Sequence, residues 1–151
     1  MKTNSNSYTI IYSAVIVVIV AFLLAFVFQG LKPQQDANVA LDKKKQILNA
    51  LNIRDLSNEV ADKTYKEVVE ADEIIDAQGH VLNAGKPGGE QAGFKLESKD
   101  YKAGRLALYV CKVNGQRKYV IPVYGMGLWG PISGYIALNE DKATVYGVYF
   151  N

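Results

Sequence analysis

The sequence predicts an α+β protein in which a single N-terminal transmembrane helix is followed by a helix and an antiparallel β-meander domain. Three observations predict this order: an uncharged apolar stretch near the N-terminus, an amphipathic helical pattern after it, and short apolar strands separated by turn residues in the second half. We therefore expect a tail and transmembrane helix at residues 1–30, a linker and helical segment at 31–66, and a β-rich domain at 67–151.

The apolar stretch from Tyr8 to Phe28 contains no charged residue and is rich in Ile, Val, Leu and Phe. A helix of this length covers roughly 30 Å, which is the thickness of the hydrocarbon core of a bilayer. A cleaved signal peptide has a shorter apolar core that ends in a small-x-small site, whereas Ala25 is followed by the bulky Phe26 and Val27. The pattern therefore favours an uncleaved anchor that spans the membrane once.

Charge leaves the orientation of this anchor open. Lys2 precedes the span, and Lys32 and the triplet Lys43 to Lys45 follow it, which by the positive-inside rule would keep the domain inside the cell. However, the triplet lies at the edge of the rule's reach and belongs to a domain whose transfer depends little on charge. The sequence alone therefore assigns no side of the membrane.

A short linker that contains Pro33 is expected from Leu31 to Gln35. Asp36 can then cap a helix that runs to about Asn52, with an apolar stripe at Leu41, Ile47, Leu48 and Leu51. We expect the lysine triplet of this helix to face water. A second helix is predicted to follow Ser57 and run toward Lys66.

The second half of the chain predicts strands: Val68 to Ile75, Val81-Leu82, Leu106 to Val113, Lys118 to Tyr124, Tyr135 to Leu138 and Thr144 to Phe150. Asn114-Gly115 is a strong hairpin signal because both residues tolerate positive φ. Pro122 restricts its strand to an edge or a bulge at that point. Because the last strand is apolar on both faces and stops at Asn151, we expect the domain to be cut short there.

Composition excludes several kinds of site. Lys and Arg total 17 against 15 Asp and Glu, and two of the lysines flank the span, so the domain is close to neutral and gives no electrostatic case for nucleic acid. Cys111 and His80 are each the single residue of their type, so the chain alone builds no cysteine cluster or multi-histidine metal site. We expect Cys111 to be buried and His80 to lie in a solvated turn. No catalytic acid–base pair, nucleophile or metal site is predicted.

The most informative segment runs from Gly125 to Gly134, with the sequence Gly-Met-Gly-Leu-Trp-Gly-Pro-Ile-Ser-Gly. Its glycines allow the backbone to approach a flat ligand closely, and the only tryptophan of the chain supplies a large ring beside them. This composition between two apolar strands is typical of a loop that faces a ligand.

The same segment fits the dinucleotide pattern G-x-G-x-x-G from Gly125 to Gly130. That pattern binds a pyrophosphate only when it opens a helix and is followed roughly 20 positions later by an acidic residue. Here the residues from Pro131 to Leu138 predict a strand, and Glu140 and Asp141 come too early. The context therefore disfavours a dinucleotide site.

The stretch from Tyr119 to Tyr135, preceded by one span and a helix, resembles the NqrC family of the sodium-translocating NADH:quinone reductases, whose domain is of the FMN-binding type. The Gly-x-Gly-Leu-Trp segment before Gly134-Tyr135 is the most specific part of this resemblance. The resemblance implies an electron-relay subunit of a membrane NADH:quinone oxidoreductase coupled to sodium translocation, with FMN as cofactor and the other subunits as partners. It also implies the bacterial inner membrane, with the domain on the periplasmic side.

In this family FMN is attached through its phosphate to a threonine of a Ser-Gly-Ala-Thr-like motif. The sequence contains no such motif, so we expect the attachment threonine beyond residue 151 and regard the FMN-binding domain as incomplete. The glycines would allow close approach to the ring, and Leu128 with Trp129 would cover one of its faces. The candidate cofactor-binding residues are Gly125, Gly127, Leu128, Trp129, Gly130 and Tyr135.

Two alternatives stay open. Trp129 could be an ordinary core residue, with the glycines only forming a bend. The chain could also be a membrane-tethered structural or interaction domain without a cofactor. A pilin-like protein of this class is disfavoured, because the glycine-phenylalanine cleavage point and the glutamate that such proteins carry are not found around Tyr8.

Overall fold

The computed structural model describes residues 5–151, and Lys2 of the charge argument lies outside this part of the chain. The structure divides into two compact units, one that ends at Ala40 and one that covers Leu41–Asn151. The predicted α+β class is confirmed, because long and short helices precede or flank a single antiparallel sheet. The helices are α1 (Asn6–Ala50), α2 (Asn58–Val68) and α3 (Ser98–Lys102), and a 3₁₀ turn covers Gly93–Lys95.

Helix α1 contains the predicted span. It has a window of mean hydropathy 3.1, and none of that window is buried within the structure. A core helix of a soluble protein would bury its apolar side chains, whereas Phe22 and Phe26 are 76% and 81% exposed. By length and composition α1 is therefore a candidate membrane span.

The prediction that a linker from Leu31 to Gln35 interrupts the helix is wrong. Helix α1 continues through Pro33, although proline removes one backbone hydrogen bond from a helix interior. Long helical segments on both sides maintain the helix, since helix propagation is cooperative. Asp36 consequently lies inside α1 and does not cap a new helix.

The sheet contains six strands in the order β2-β1-β3-β4-β5-β6, and all neighbours are antiparallel. Asn114 and Gly115 have φ of 50° and 78° and join β3 to β4, which confirms the predicted hairpin. The strands are β1 (Val69–Ile75), β2 (Val81–Asn83), β3 (Leu106–Val113), β4 (Gln116–Met126), β5 (Pro131–Leu138) and β6 (Val145–Phe150).

The core lies where the last turns of α1 and the helix α2 pack on one face of the sheet. Ile47, Leu48 and Leu51 of the predicted stripe are buried there, together with Tyr65 of α2. Cys111 is fully buried in β3, as expected, and burial raises the pKa of its thiol. His80 is exposed, also as expected, and its ring contacts Asp76 at 2.9 Å. The strands contribute the rest of this core: Val69, Ala107, Tyr109, Val113, Val120, Tyr135 and Ala137.

The expectation that the lysine triplet faces water is wrong. Lys44 is only 7% exposed and forms ion pairs with Asp62, at 2.5 Å, and with Glu90. Lys43 is half-buried and donates to the carbonyl oxygen of Phe94 at 2.5 Å, and Lys45 donates to Asn58. Long lysine side chains can cross apolar surface to reach a partner. These three therefore connect α1 to α2 and to the loop that precedes α3.

Candidate functional site

The glycine-rich segment forms the end of the β4–β5 hairpin. Strand β4 ends at Met126, strand β5 begins at Pro131, and the intervening turn is closed by a hydrogen bond from the Gly127 N–H to the Gly130 carbonyl at 2.8 Å. The element after the turn is a strand, as predicted, so the helix that a dinucleotide site requires is not formed at this position. We call residues 124–132 the hairpin tip.

Local backbone structure and packing explain why glycine occupies two positions of the hairpin tip. Gly130 has φ of 151°, a conformation that side chains rarely adopt. A Cβ at Gly127 would lie 2.6 Å from Cδ1 of Ile132, so the isoleucine packs where a side chain would stand. A Cβ at Gly125 would meet no atom within 4 Å, so nothing within the described chain requires glycine there.

Pro122 marks the point where the hairpin leaves the main sheet. The ladder between β3 and β4 ends at the pair Tyr109 and Val120, two residues before this proline. Proline has no N–H to donate to a neighbouring strand. From Ile121 to Met126, β4 pairs only with β5, which agrees with the predicted restriction at Pro122 and makes the end of the hairpin a two-stranded extension.

The side chains of the hairpin tip are apolar and exposed. Trp129 is 97% exposed and Leu128 is 91% exposed. The alternative that Trp129 is a core residue is therefore wrong. Tyr124 and Met126 are each 83% exposed, and Ile132 is 45% exposed.

Tyr135 lies apart from the other five candidate residues. It pairs with Pro122 across the hairpin, roughly 17 Å along the strand from the turn at about 3.4 Å per residue. Its ring is buried edge-to-face against Tyr109, with centroids 6.3 Å apart, and burial raises the pKa of its phenol. The structure therefore brings Gly125, Gly127, Leu128, Trp129 and Gly130 together but assigns Tyr135 to the core.

A cleft of about 880 Å³ opens beside the base of this hairpin, on the side of Tyr135. This volume lies within the range of small-molecule sites. Burial lowers the pKa of Lys43 in its wall to about 8. The lining comes from α1, from the segment that contains α3 and from the hairpin: Lys43, Gln46, Leu96, Glu97, Ser98, Tyr101, Lys102, Leu106, Pro122, Val123, Tyr124, Ser133, Gly134 and Tyr135.

Sequence reasoning missed this cleft, apart from Tyr135. Its walls come from segments that are far apart in the chain, such as Lys43 of α1 and Tyr101 of α3. No local pattern connects these residues. The one sequence feature that points to the cleft is the lysine triplet, which was expected to face water and instead packs against the domain.

The hairpin tip does not by itself form a complete small-molecule site. Small-molecule sites bury about 70–90% of a ligand's surface. Leu128 and Trp129 are each more than nine-tenths exposed, and neither residue lines the cleft. A flat ring stacked on the tip would need a second wall from outside the described residues.

Comparison with known proteins gives a consistent set of relatives. No protein-family profile matches the chain. The C subunit of the Na⁺-translocating NADH-quinone reductase (NqrC) from Haemophilus ducreyi is 26% identical over 165 residues, which cover 97% of this chain and 63% of that protein. NqrC from Vibrio parahaemolyticus is 28% identical over 142 residues, covering 80% of this chain and 54% of that protein.

The crystal structure of NqrC from Parabacteroides distasonis superposes on this chain with a TM-score of 0.70 and 31% sequence identity. The superposition covers 80% of this chain. The chain is related to the NqrC proteins of the Na⁺-translocating NADH-quinone reductases. The resemblance inferred from the tryptophan-containing segment is thus confirmed, and the fold matches that of the solved NqrC.

The chain spans less than two thirds of the NqrC proteins that it matches. It covers 63% of the Haemophilus ducreyi protein and 57% of the solved Parabacteroides distasonis chain. These relatives are named as subunits of an oxidoreductase complex that translocates sodium ions and reduces quinone with NADH.

Proposed function

We propose that this chain is the electron-relay subunit of a membrane NADH:quinone oxidoreductase coupled to sodium translocation. The observation that carries the proposal is the 31% identity and TM-score of 0.70 with a solved NqrC across 80% of the chain. The candidate span of α1 supports a place in a membrane complex. The proposed setting is the bacterial inner membrane, with the domain on the periplasmic side and the other subunits of the complex as partners.

The proposed cofactor is FMN, attached to a threonine encoded beyond residue 151. When bound, a flavin supplies electron transfer through its isoalloxazine ring, and the protein supplies binding and orientation. Leu128 and Trp129 would cover one face of the ring, while Gly125, Gly127 and Gly130 would allow the backbone to approach its edge. Tyr135 would support the base of the hairpin from the core and would not touch the ring.

The test is to determine the coding sequence beyond Asn151 and to express its product. The proposal expects a Ser-Gly-x-Thr motif in that sequence and a protein band that fluoresces as a flavoprotein on a denaturing gel. The matched control replaces the threonine of that motif with valine, which should abolish the fluorescence without changing the amount of protein.

A colourless product from a reading frame that stops at Asn151 would overturn the cofactor proposal. It would favour the competing function, a membrane-tethered structural or interaction domain. Co-purification with the other reductase subunits then separates two cases. A colourless chain that co-purifies remains a member of the complex, and one that does not overturns the proposed function as a whole.

A further inference from the structure

The turn between β3 and β4 consists of Asn114 and Gly115 and lies at the end of β4 away from the hairpin tip. Strand β4 separates the two turns by roughly 30 Å at about 3.4 Å per residue. Both residues of the turn are exposed, with φ of 50° and 78°. A two-residue turn of this kind requires positive φ at both positions, and asparagine followed by glycine meets that requirement. The fold therefore favours here a dipeptide in which the side-chain amide is chemically labile.

Gly115 presents an unhindered backbone nitrogen to the side chain that precedes it. Glycine carries no Cβ to obstruct this nitrogen, and even an added Cβ at Gly115 would meet no atom within 4 Å. The β3–β4 ladder ends at the pair Val113 and Gln116. Among the described residues, no hydrogen bond of the turn occupies the Gly115 N–H. This nitrogen can therefore approach Cγ of Asn114 without breaking a bond of its own.

The side-chain amide of Asn114 is free to rotate, which distinguishes it from other asparagines of the domain. Within residues 5–151 it makes no hydrogen bond, whereas four other asparagine side chains are each held by one: Asn52, Asn58, Asn83 and Asn139. A side chain fixed by a hydrogen bond has to release it before its Cγ can turn toward the next nitrogen. Asn114 has no such bond to release.

Two cations stand beside this turn. Lys112 and Arg117 are exposed and pair directly across the hairpin, and Arg117 also contacts Glu70 at 3.8 Å. Like charges that face each other across two strands are unfavourable, and nearby positive charge favours an anion. The electrostatics of the hairpin therefore favour the appearance of a negative charge at the turn.

We propose that Asn114 is a site of spontaneous deamidation in the folded protein. The Gly115 nitrogen loses its proton and forms a bond to Cγ of Asn114, the bond between Cγ and the amide nitrogen breaks, and ammonia leaves. Water then opens the cyclic imide at one of its two carbonyls and gives aspartate or isoaspartate. No oxidation or reduction is involved. This modification goes beyond the proposed relay function and requires neither bound flavin nor another subunit.

The two products have different consequences for the hairpin. Aspartate preserves the turn, because Asp-Gly is also favoured in this type of turn. Isoaspartate directs the main chain through the former side chain and adds one methylene group to it. A two-residue turn sets the register of its strands, so this product should disturb the pairing of Val113, which belongs to the core. Formation of isoaspartate should therefore weaken this end of the sheet.

The test ages the full chain in detergent micelles at neutral pH and follows it by mass spectrometry. Trypsin cleaves after Lys112 and Arg117 and releases the peptide 113–117, in which deamidation adds one dalton. Electron-transfer fragmentation separates aspartate from isoaspartate, and an unaged sample corrects for change during digestion. Loss of the amide at Asn114 should be about tenfold faster than at Asn83, because Ala84 carries a Cβ and Asn83 is bonded to the Gly85 N–H. It should also be within about tenfold of the rate for the chain in urea, since exposed turns open at little cost.

The matched control is Asn114→Gly, which removes the amide and keeps the turn, because Gly-Gly adopts the same conformation. After ageing, the wild type should contain isoaspartate and a fraction that unfolds at lower urea concentration, whereas this variant should unfold as it did before. Two outcomes would overturn the proposal. One is a folded chain that keeps the amide at Asn114 while the chain in urea loses it, since the turn would then protect the side chain. The other is equal loss at Asn114 and Asn83 in the folded chain.

Discussion

Lys44 shows at the scale of one residue how burial changes the role of a charge. Its ammonium group lies between the carboxylates of Asp62 and Glu90 with its side chain 9% exposed. The hydrogen bond from Lys44, with a second from Lys66, holds the pKa of Asp62 below its usual value. These two ion pairs connect α1 to α2 and to the loop before α3. A lysine whose position in the sequence indicated a solvated helix face is therefore a structural contact.

Replacing Lys44 with alanine should destabilise the domain by about 1–3 kcal/mol, because the substitution removes the buried cation beside Glu90 and leaves Asp62 with Lys66 alone. The lower part of the range is expected since Asp62 and Glu90 keep some access to water. Urea unfolding in detergent micelles, followed by near-UV circular dichroism, measures the free energy. Lys45→Ala is the matched control and should change it by less than about 0.5 kcal/mol. Equal effects of the two substitutions would contradict the structural role.

Lys43 predicts a pH dependence of stability. Burial lowers the pKa of its amine from 10.5 to about 8, and the nearby Asp72 only partly opposes this. Between these two values the unfolded chain binds more protons than the folded one, so this residue's contribution to stability rises with pH through the window from 8 to 10.5. Below that window the full cost of burying the charge is present.

The test compares the wild type with Lys43→Met by urea unfolding at a series of pH values. The stability of the wild type relative to this variant should increase by about 2.5–3.5 kcal/mol across the window, because one pKa unit corresponds to roughly 1.4 kcal/mol. Other groups titrate in both proteins and cancel in the difference. If the difference in free energy of unfolding between the two proteins stayed constant with pH, the amine of Lys43 would not be desolvated in the folded protein.

At the scale of the element, the β4–β5 hairpin combines features that local sequence predicts with one that it does not. The strand after the glycines and the effect of Pro122 follow from backbone chemistry within a few residues, as does the Asn114-Gly115 turn that joins β3 to β4. Local sequence does not predict which of the candidate residues lie in the core and which lie at the exposed tip. Tyr135 is buried in the core cluster beside Tyr109, while Trp129 is exposed because no described element covers the tip.

The glycines of the tip should differ in their tolerance of alanine. Gly130→Ala should destabilise the domain by about 1–2 kcal/mol, because φ of 151° is strained for any side chain. Gly125→Ala is the control at the same tip and should be neutral within about 0.5 kcal/mol, since its Cβ would enter open space. Unfolding in urea measures both. If Gly125→Ala were instead to abolish flavin retention in the longer protein, the effect would indicate contact with the cofactor.

At the scale of the whole molecule, the two compact units of the chain differ in whether their apolar side chains are exposed or buried. The helix from Asn6 to Ala40 presents apolar side chains outward, while the domain that begins at Leu41 buries its own core. Sequence pattern predicted the apolar helix and the strands of the sheet because hydropathy and strand alternation are local signals. It missed the helical continuity through Pro33 and the cleft between α1, α3 and the hairpin, since these depend on cooperativity and on contacts between distant segments.

This division predicts that the domain folds without the span. Every fully buried residue of the core lies at or after Ile47, so a variant that begins at residue 31 should keep the near-UV circular dichroism spectrum of the full chain. Its free energy of unfolding should stay within about 1 kcal/mol, because no core contact is removed. Loss of the folded spectrum would mean that residues before 31 support the core.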